Sequence, residues 1–582
     1  MFDHSDFFLK PLNALQRQYE ALRAFYVEKK SAREVSGDFG FTQPYFNKLR
    51  YLFHQSLTKG QTPVFFAQNR PGPRESPQKP RIKERIVELR KKNYSILDIK
   101  ATLNSQGVSI GLSQIDRLLK AEGFSRLPRR SKGEREKIGQ PRKFESPKAE
   151  RLDFNQLPQK TFTTRYGGAF LFLPFIKEIN LPEIVEKAEF PQTSRLSNFN
   201  YIMSFLFLKL IAKERLSHVN HLSLDAGAGL FASLSVLPKS SSLSSYAYNT
   251  TREMDRLFLK ELFVATQKIA PFSGDVNLDF TAIPHWGDQS VLEKNWLGKR
   301  RVALKSVLAL VAQDPDTGIL PYSNAEVRHH TKNDEVLHFV DFWRETSQEP
   351  LKCLIFDSKF TTYENLSKLN SGGVKFITLR RRGKKLVSQV AQIPSSPWQI
   401  IKMDNLKRKY QRLKVCDSKI YLPGYRGKIR QLIITNNGRE EPAFIITNEL
   451  AMATKDIVWK YARRWLVEKS ISEQIYFFHL NMVSSSIVVK VDFDLTMTVL
   501  ANTLYRLLAS KLVGFEKSSA KTLFSNFIDN VADVQIAHPK IKIILRKKAH
   551  NPIIFGAELF NQEIPIPWYG DYLVCFDCQN TT

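Results

Sequence analysis

The sequence has 582 residues, 42% hydrophobic and 25% charged, which suits a soluble protein of several domains, but its formal net charge of +30 points to a polyanion as partner, nucleic acid ahead of an anionic membrane. No run of about 20 apolar residues and no basic-then-apolar leader is present, so no membrane association is expected and the protein is expected to work inside the cell. Cys353, Cys416, Cys575 and Cys578 are too few and scattered for a disulfide framework, and the single CxxC lacks the second pair a zinc site needs.

Positive charge is concentrated at the front, where residues 1–150 hold 30 Lys and Arg against 16 Asp and Glu. In residues 1–60 the periodicity of Leu12 to Glu28 predicts a helix. SAREVSGDFGFTQPYFNKLRYLF then predicts a short helix, a turn at Gly37 to Gly40 and a second helix from about Thr42, a helix-turn-helix pattern. With Thr42 as N-cap, Gln43, Tyr45, Asn47 and Lys48 are expected to meet DNA, since this motif reads the major groove with the start of its second helix.

Residues 61–80 are proline-rich and basic and read as a linker. Residues 81–125 predict a second module of three helices, with Ser95 and Ser113 near helix starts, Gly107 and Gly123 closing helices, and Ser113, Gln114, Arg117 and Lys120 as its DNA-facing set. A plain helical hairpin is the alternative for the first copy alone; two modules in tandem are much more specific. Residues 126–160 are basic and proline-punctuated and read as a flexible arm able to touch phosphates without reading sequence.

Residues 161–270 turn apolar and predict an all-helical segment, with SSSLSSYAYNT as a loop or helix start. At Asp275 the pattern switches to strands: DVNLDFTAI, VALKSVLALVAQD and LPYSNAEV, expected as an antiparallel meander. A helix (NDEVLHFVDFWRET), a strand (LKCLIFDSKF), a helix (TTYENLSKLNSG) and a strand (VKFITLR) follow, so residues 271–380 carry the order βββαβαβ of the ribonuclease-H-like fold. Asp279 and Asp357 fall in or at the end of two strands that this topology makes neighbours, where ligands of mixed α/β sheets sit. Residues 381–450, from RRRGKKLV to PAFIITNEL, read as a β-rich insertion, residues 451–515 as further core helices, and residues 516–582 carry no assignable pattern.

Lys460 to Met482 predicts one long helix with an apolar stripe at Val467, Ile471, Ile475, Phe478 and Met482. At about 100° per residue, Tyr461, Arg464 and Glu468 share a narrow arc at the edge of that stripe, so Glu468 is expected to point into the protein and Glu473 toward water. A simple Arg464 to Glu468 helix pair is the plain reading. The functional reading joins Glu468 to Asp279 and Asp357 in an oxygen-rich site for two Mg²⁺ or Mn²⁺ ions, because clustered carboxylates need cations to stay ionised. Such a metal pair supports in-line attack on a phosphodiester.

These residues resemble the DDE transposases of bacterial insertion sequences, in the branch whose helix bears Tyr-x2-Arg-x3-Glu-x6-Lys. NLDFTAI around Asp279, LIFDSKF around Asp357 and YARRWLVE ending at Glu468 match the three blocks, over roughly residues 160 to 510. The resemblance implies a multidomain α plus α/β protein: N-terminal helix-turn-helix modules, then a ribonuclease-H-like catalytic domain with a β-rich insertion. It also implies cleavage and strand transfer at the terminal inverted repeats of an element, double-stranded DNA as partner at element ends and target, a homodimer in the DNA complex, and phosphate contacts from Tyr461 and Arg464. Ile475 stands where the signature has lysine; His479 is a candidate replacement on the same helical face. A transposase-derived regulator that no longer cuts, or a nuclease of the same fold, are the rival readings.

Weaker features are Arg380, Arg381 and Arg382, expected along the DNA backbone or as a solvated turn, and His329 and His330 beside Asp334, a poor metal candidate. Trp286 and Trp296 are expected in the core, with base stacking the alternative.

Overall fold

The computed structural model describes residues 6–11, 13–60, 65, 79–125, 127, 147–285, 292–297, 302–381, 383–403, 412–436, 441–482 and 487–579. Trp286, Arg382 and most of the two linkers lie outside the described residues. The chain is a mixture of helices and sheets and divides into two compact units, residues 1–143 and 144–582.

In the first unit, helices α1 (Ala14–Tyr26), α2 (Ala32–Asp38) and α3 (Gln43–Thr58) enclose Leu22, Val35, Phe39 and Phe46. Ser31 opens α2 through a reciprocal capping box with Glu34, and Gly40, at φ +64°, makes the turn into α3 that a residue with a Cβ resists. Thr42 occupies the N-cap of α3, but its hydroxyl makes no capping bond, and Pro44 removes one of the two N–H groups such a cap would take. Helices α4 (Lys79–Lys91), α5 (Ile96–Ser105) and α6 (Leu112–Ala121) close on a separate core of Ile86, Leu89, Ile99, Leu103, Ile115 and Leu119.

The second unit is built on a ten-stranded sheet. Strands β2 (Asp275–Pro284), β4 (Val302–Gln313) and β5 (Tyr322–Val327) pair antiparallel, with β4 in the middle and a short β3 (Lys294–Leu297) forming a hairpin with the start of β4. On the other edge of β2 lie β6 (Cys353–Phe356) and β7 (Phe376–Leu379), both parallel to it. Helices α8 (Glu335–Thr346) and α9 (Tyr363–Ser371) occupy the crossovers, so the succession read from the sequence is present, with spatial order β5-β4-β2-β6-β7.

The inserted strands β8 (Trp398–Lys402), β9 (Arg412–Tyr421), β10 (Lys428–Thr435) and β11 (Ala443–Thr447) do not form a sheet of their own. They extend the same sheet, because β11 pairs antiparallel with β7 from Ile377↔Thr447 to Leu379↔Ile445. Within the RRRGKKLV stretch, Lys384–Val390 is helical, not a strand.

The segment expected to be all-helical opens with a strand, β1 (Lys160–Thr164), which pairs with β12 (Ala532–Ala537) of the C-terminal region. With β13 (Lys540–Leu545), β14 (Ile564–Pro565) and β15 (Leu573–Cys578) this makes a second, five-stranded sheet. The two ends of the unit meet so closely that a Cβ on Gly168 would lie 2.2 Å from the Phe527 carbonyl oxygen. Helix α7 (Asn198–Leu210) and the long helix α12 (Val488–Lys511) are buried nearly all round and join both sheets in one apolar core with Phe207, Phe258, Trp343, Tyr505 and Tyr569.

Candidate active site

The expected helix from Lys460 to Met482 is two helices, α10 (Thr454–Ala462) and α11 (Trp465–Tyr476), followed by a 3₁₀ turn at Leu480–Met482. Between α10 and α11 the hydrogen bonds tighten to i→i+3, Leu466 N to Arg463 O (2.9 Å) and Val467 N to Arg464 O (3.1 Å). After α11, His479 takes φ +55° and breaks the helix.

Strand β2 fixes this helix pair residue by residue. Alternate positions of a strand share a face, and Asp275, Asn277 and Asp279 all use theirs on the last turn of α10 and the junction with α11. Asp275 pairs with Lys460 (2.5 Å), the Asn277 side-chain amide donates to the Arg463 carbonyl (3.3 Å), and Asp279 pairs with Arg464 (3.2 Å). On β4, Gln313 lies directly opposite Asn277 and donates to Ser470 at 2.5 Å. Helix α11 is thereby tied down on both sides of Glu468.

The register of β2 and β6, Val276↔Leu354 and Asn277↔Ile355, brings Asp279 and Asp357 level when continued by two residues. Asp357 follows the last residue of β6; one carboxylate oxygen accepts from the Ser358 N–H (2.7 Å). Phe280, next to Asp279, stacks on Phe360 of the loop after Asp357 at 4.2 Å and 12° between planes, which holds the two strand ends together.

Arg464 completes the group. One terminal nitrogen meets Asp279 at 3.2 Å and the other meets Glu468 at 2.5 Å, while the guanidinium carbon lies 5.8 Å from the centre of the Tyr461 ring. Burial pushes the Asp279 carboxyl up to about 6; Arg464 and the Phe280 N–H pull it back, and Glu468 and Asp357 raise it further. Burial likewise pushes the Tyr461 hydroxyl up to about 12. The Arg464 guanidinium stays charged, its acidity weakened by Tyr461, Asp279, Glu468 and Asp357 against the opposing effect of burial.

Asp279, Asp357, Glu468, Tyr461 and Arg464 are therefore mutual neighbours. Among the described residues no three His, Cys, Asp or Glu side chains converge tightly enough to hold a metal ion by themselves. In this arrangement the positive charge between the carboxylates is Arg464. The donor chemistry nonetheless fits a divalent cation: three hard carboxylates stand near one guanidinium, which pairs with two of them, Asp279 and Glu468, and leaves the group with excess negative charge.

Several expectations are corrected. Glu468 does not point into the protein; its side chain is 54% exposed, because the buried face of α11 is Val467, Ser470 and Gln474. Glu473 is not on a wet face: it is nearly buried, pairs with Arg506 (2.5 Å) and accepts from the Ala520 N–H. His479 does not replace the signature lysine on the same face; its imidazole lies beside Ala212, Glu214 and Lys209, and burial lowers its basicity. Trp296 is 64% exposed and no part of the core. Sequence reasoning passed over Asn277, Gln313, Lys460 and Arg463. The signal was there in the polar residues that punctuate the apolar strands β2 and β4.

Gln43, Tyr45, Asn47 and Lys48 are exposed at the start of α3, with the Tyr45 hydroxyl accepting from Gln18 (2.9 Å). Ser113, Gln114, Arg117 and Lys120 are exposed on α6, and Lys120 pairs with Asp116 (2.8 Å). Arg380 donates to Gln431 (2.7 Å), and Arg381 donates to the carbonyls of Ser358 (3.1 Å) and Thr361 (3.4 Å), bracing the loop after Asp357. His329 bonds Asn295 (2.8 Å) and Asp334 accepts from Asn365 (2.9 Å), so they serve the loop, not a joint site.

No family model matches the chain, and no curated protein matches it. Among solved structures, a piggyBac transposase synaptic complex with hairpin DNA is similar at 13% identity with a TM-score of 0.30, over 63% of this chain and 88% of that one. At that TM-score the likeness says nothing about this chain's site or chemistry.

Proposed function

We propose that the chain is a DNA transposase of the DDE type, cutting and joining DNA with Asp279, Asp357 and Glu468. The observation that carries this reading is the level register of Asp279 and Asp357 on neighbouring parallel strands, with Glu468 joined to Asp279 through Arg464. The strand and helix succession supports a ribonuclease-H-like core, and the two three-helix groups support tandem helix-turn-helix modules that bind terminal inverted repeats. The net charge of +30 suits a DNA partner. Two element ends joined in one reaction call for a homodimer in the DNA complex. Among the described residues no helix is long and apolar enough to cross a membrane. A protein that acts on the DNA of a bacterial element would work in the cytoplasm, at the nucleoid.

Asp279, Asp357 and Glu468 would hold two Mg²⁺ or Mn²⁺ ions, whose role is Lewis acidity at the phosphate and a water or 3′-hydroxyl made nucleophilic at neutral pH. The chain's own residues bind and orient. Arg464 offers a fork matched to a phosphate, with Tyr461 beside it. The strand anchors at Asp275, Asn277 and Gln313 keep α11 at a set distance from the sheet.

The test is cleavage of a supercoiled plasmid carrying the gene with its native flanks, with Mg²⁺, Mn²⁺ or EDTA. Asp279→Ala, Asp357→Ala and Glu468→Gln should each lower metal-dependent cutting at the element ends, by on the order of 10³-fold if each supplies several kcal/mol. Glu178→Gln, on an exposed helix end, should not. The regulator reading draws on Ile475 at the signature lysine and on the displacement of His479. Specific binding to the ends without any cutting would favour it, and cutting without preference for end sequences would favour a nuclease.

A further inference from the structure

We propose that Arg464 is a two-position cation that couples DNA binding to divalent-metal binding: it neutralises Asp279 and Glu468 in the free protein and moves to a backbone phosphate when DNA arrives. This rests on the reading of Asp279, Asp357 and Glu468 as metal-binding carboxylates.

Arg464 takes one carboxylate with each terminal nitrogen, and the two come from different elements, β2 and α11. A guanidinium normally grips one carboxylate or phosphate with both. Split as it is here, the fork closes the gap between the strand and the helix and claims an oxygen of each carboxylate that a hard cation would use. A metal ion and Arg464 therefore compete for Asp279 and Glu468 in the free protein.

The charges decide the sign of the coupling. Three carboxylates and one guanidinium leave an excess of two negative charges. Two divalent ions would turn that into an excess of two positive charges with Arg464 still among them. A phosphodiester resolves the conflict, because it gives the guanidinium a new anionic partner and leaves the carboxylates to the ions. Without DNA the arginine opposes the metal; with DNA it assists by holding the phosphate. Reciprocity then requires that metal tighten DNA binding by the same factor.

The location suits a side chain that must change partners. Arg464 sits at the junction of α10 and α11, the Tyr461 ring offers it a resting face, and the exposed Glu468 carboxylate can be released to solvent without a buried charge being stranded. Asp279, the less exposed partner, is the one a cation must replace.

The experiment is Mn²⁺ titration of the full-length protein followed by electron paramagnetic resonance of the free ion, at fixed salt. It is run with and without a duplex from the DNA flanking the gene, on wild type, Arg464→Gln, Arg464→Lys and Asp357→Asn. Wild type should bind Mn²⁺ about 10-fold more tightly with DNA than without, within the usual range of allosteric coupling. Arg464→Gln should bind it more tightly than wild type without DNA and gain less from DNA than wild type does, the remaining gain being the phosphate's own contact with the ions. Arg464→Lys, which keeps the charge but loses the fork, should fall between and serves if the glutamine variant does not fold. Arg464→Gln or Arg464→Lys binding Mn²⁺ no better than wild type without DNA, or keeping the full DNA-dependent gain, would overturn the proposal. Equal Mn²⁺ binding by wild type and Asp357→Asn would instead overturn the active-site reading, and the coupling with it.

Discussion

Gln313 on β4 donates to Ser470 on α11 at 2.5 Å, a hydrogen bond between two side chains buried under the helix that carries Glu468. An apolar contact there would let the helix slide and rotate over the sheet; a directional bond sets both. Ser470→Ala strands the Gln313 amide and should lower stability by about 1 to 3 kcal/mol. Gln313→Leu combined with Ser470→Ala removes both partners and should recover most of that loss in chemical denaturation. The double variant should still cut more slowly than wild type, since Glu468 loses one of its anchors. A double variant as unstable as Ser470→Ala would contradict this account.

Glu473 is held by Arg506 and the Ala520 N–H under the start of the helix Ala520–Leu523. Glu473→Ala leaves Arg506 charged and nearly buried, with the Ser518 carbonyl (2.9 Å) as its remaining hydrogen-bond partner among the described residues. A loss of about 3 kcal/mol is expected in urea unfolding. Adding Arg506→Met should return much of it. A substitution at Glu473 consequently reports on stability before it reports on catalysis.

Asp255 is fully buried and faces Asp492, Arg252, Glu326 and Thr496. Burial, then the Asp492 charge, hold its carboxyl well above the ordinary value of 3.8, with Arg252 acting the other way. A raised carboxyl favours the protonated form in the folded chain, so its contribution is fully present below 3.8 and is lost as pH rises through the higher folded value. Asp255→Asn should therefore raise the thermal midpoint at pH 8 and change it little at pH 4. An equal shift at both values would show that Asp255 does not titrate in this way.

On the first unit, Lys48→Ala and Lys120→Ala should weaken binding to all duplexes alike and lower the slope of log affinity against log salt, by about 1 for Lys48. Arg117→Ala, if it touches a base edge, should relax preference for end DNA over random DNA. Fluorescence anisotropy over a salt series separates the two. Lys120 already pairs with Asp116, so its effect should be the smaller of the two lysines.

Much of the central sheet was legible in one dimension. The alternation of strands and helices from Asp275 to Leu379 follows from periodicity and turn residues, both local. The polar alternation at Asp275, Asn277 and Asp279 marks a strand with one face turned to something other than an apolar core. The helix at Glu468 was readable as a helix, but its rotation was not. Its apolar stripe suggested burial along Val467, Ile471 and Ile475, whereas the buried line runs through Val467, Ser470 and Gln474, because the sheet below presents Asn277 and Gln313. That difference of a fraction of a turn moved Glu468 out to the solvent edge and Glu473 under Arg506.

The sequence by itself determined the strands and helices from Asp275 to Leu379, the excess of positive charge, and the three carboxylates and one arginine worth examining, since these depend on residue type and near-neighbour spacing. Only the tertiary structure decided how they meet. Pairing of β1 with β12 joins residues some 370 apart in the chain, as the Thr163 to Asp533 hydrogen bond records with a separation of 370. The β-rich insertion extends the main sheet because β7 has a free edge that β11 can pair with. Arg464 lies between Asp279 and Glu468 because β2 and α11, 185 residues apart at that contact, are brought face to face by long-range packing that no local pattern encodes.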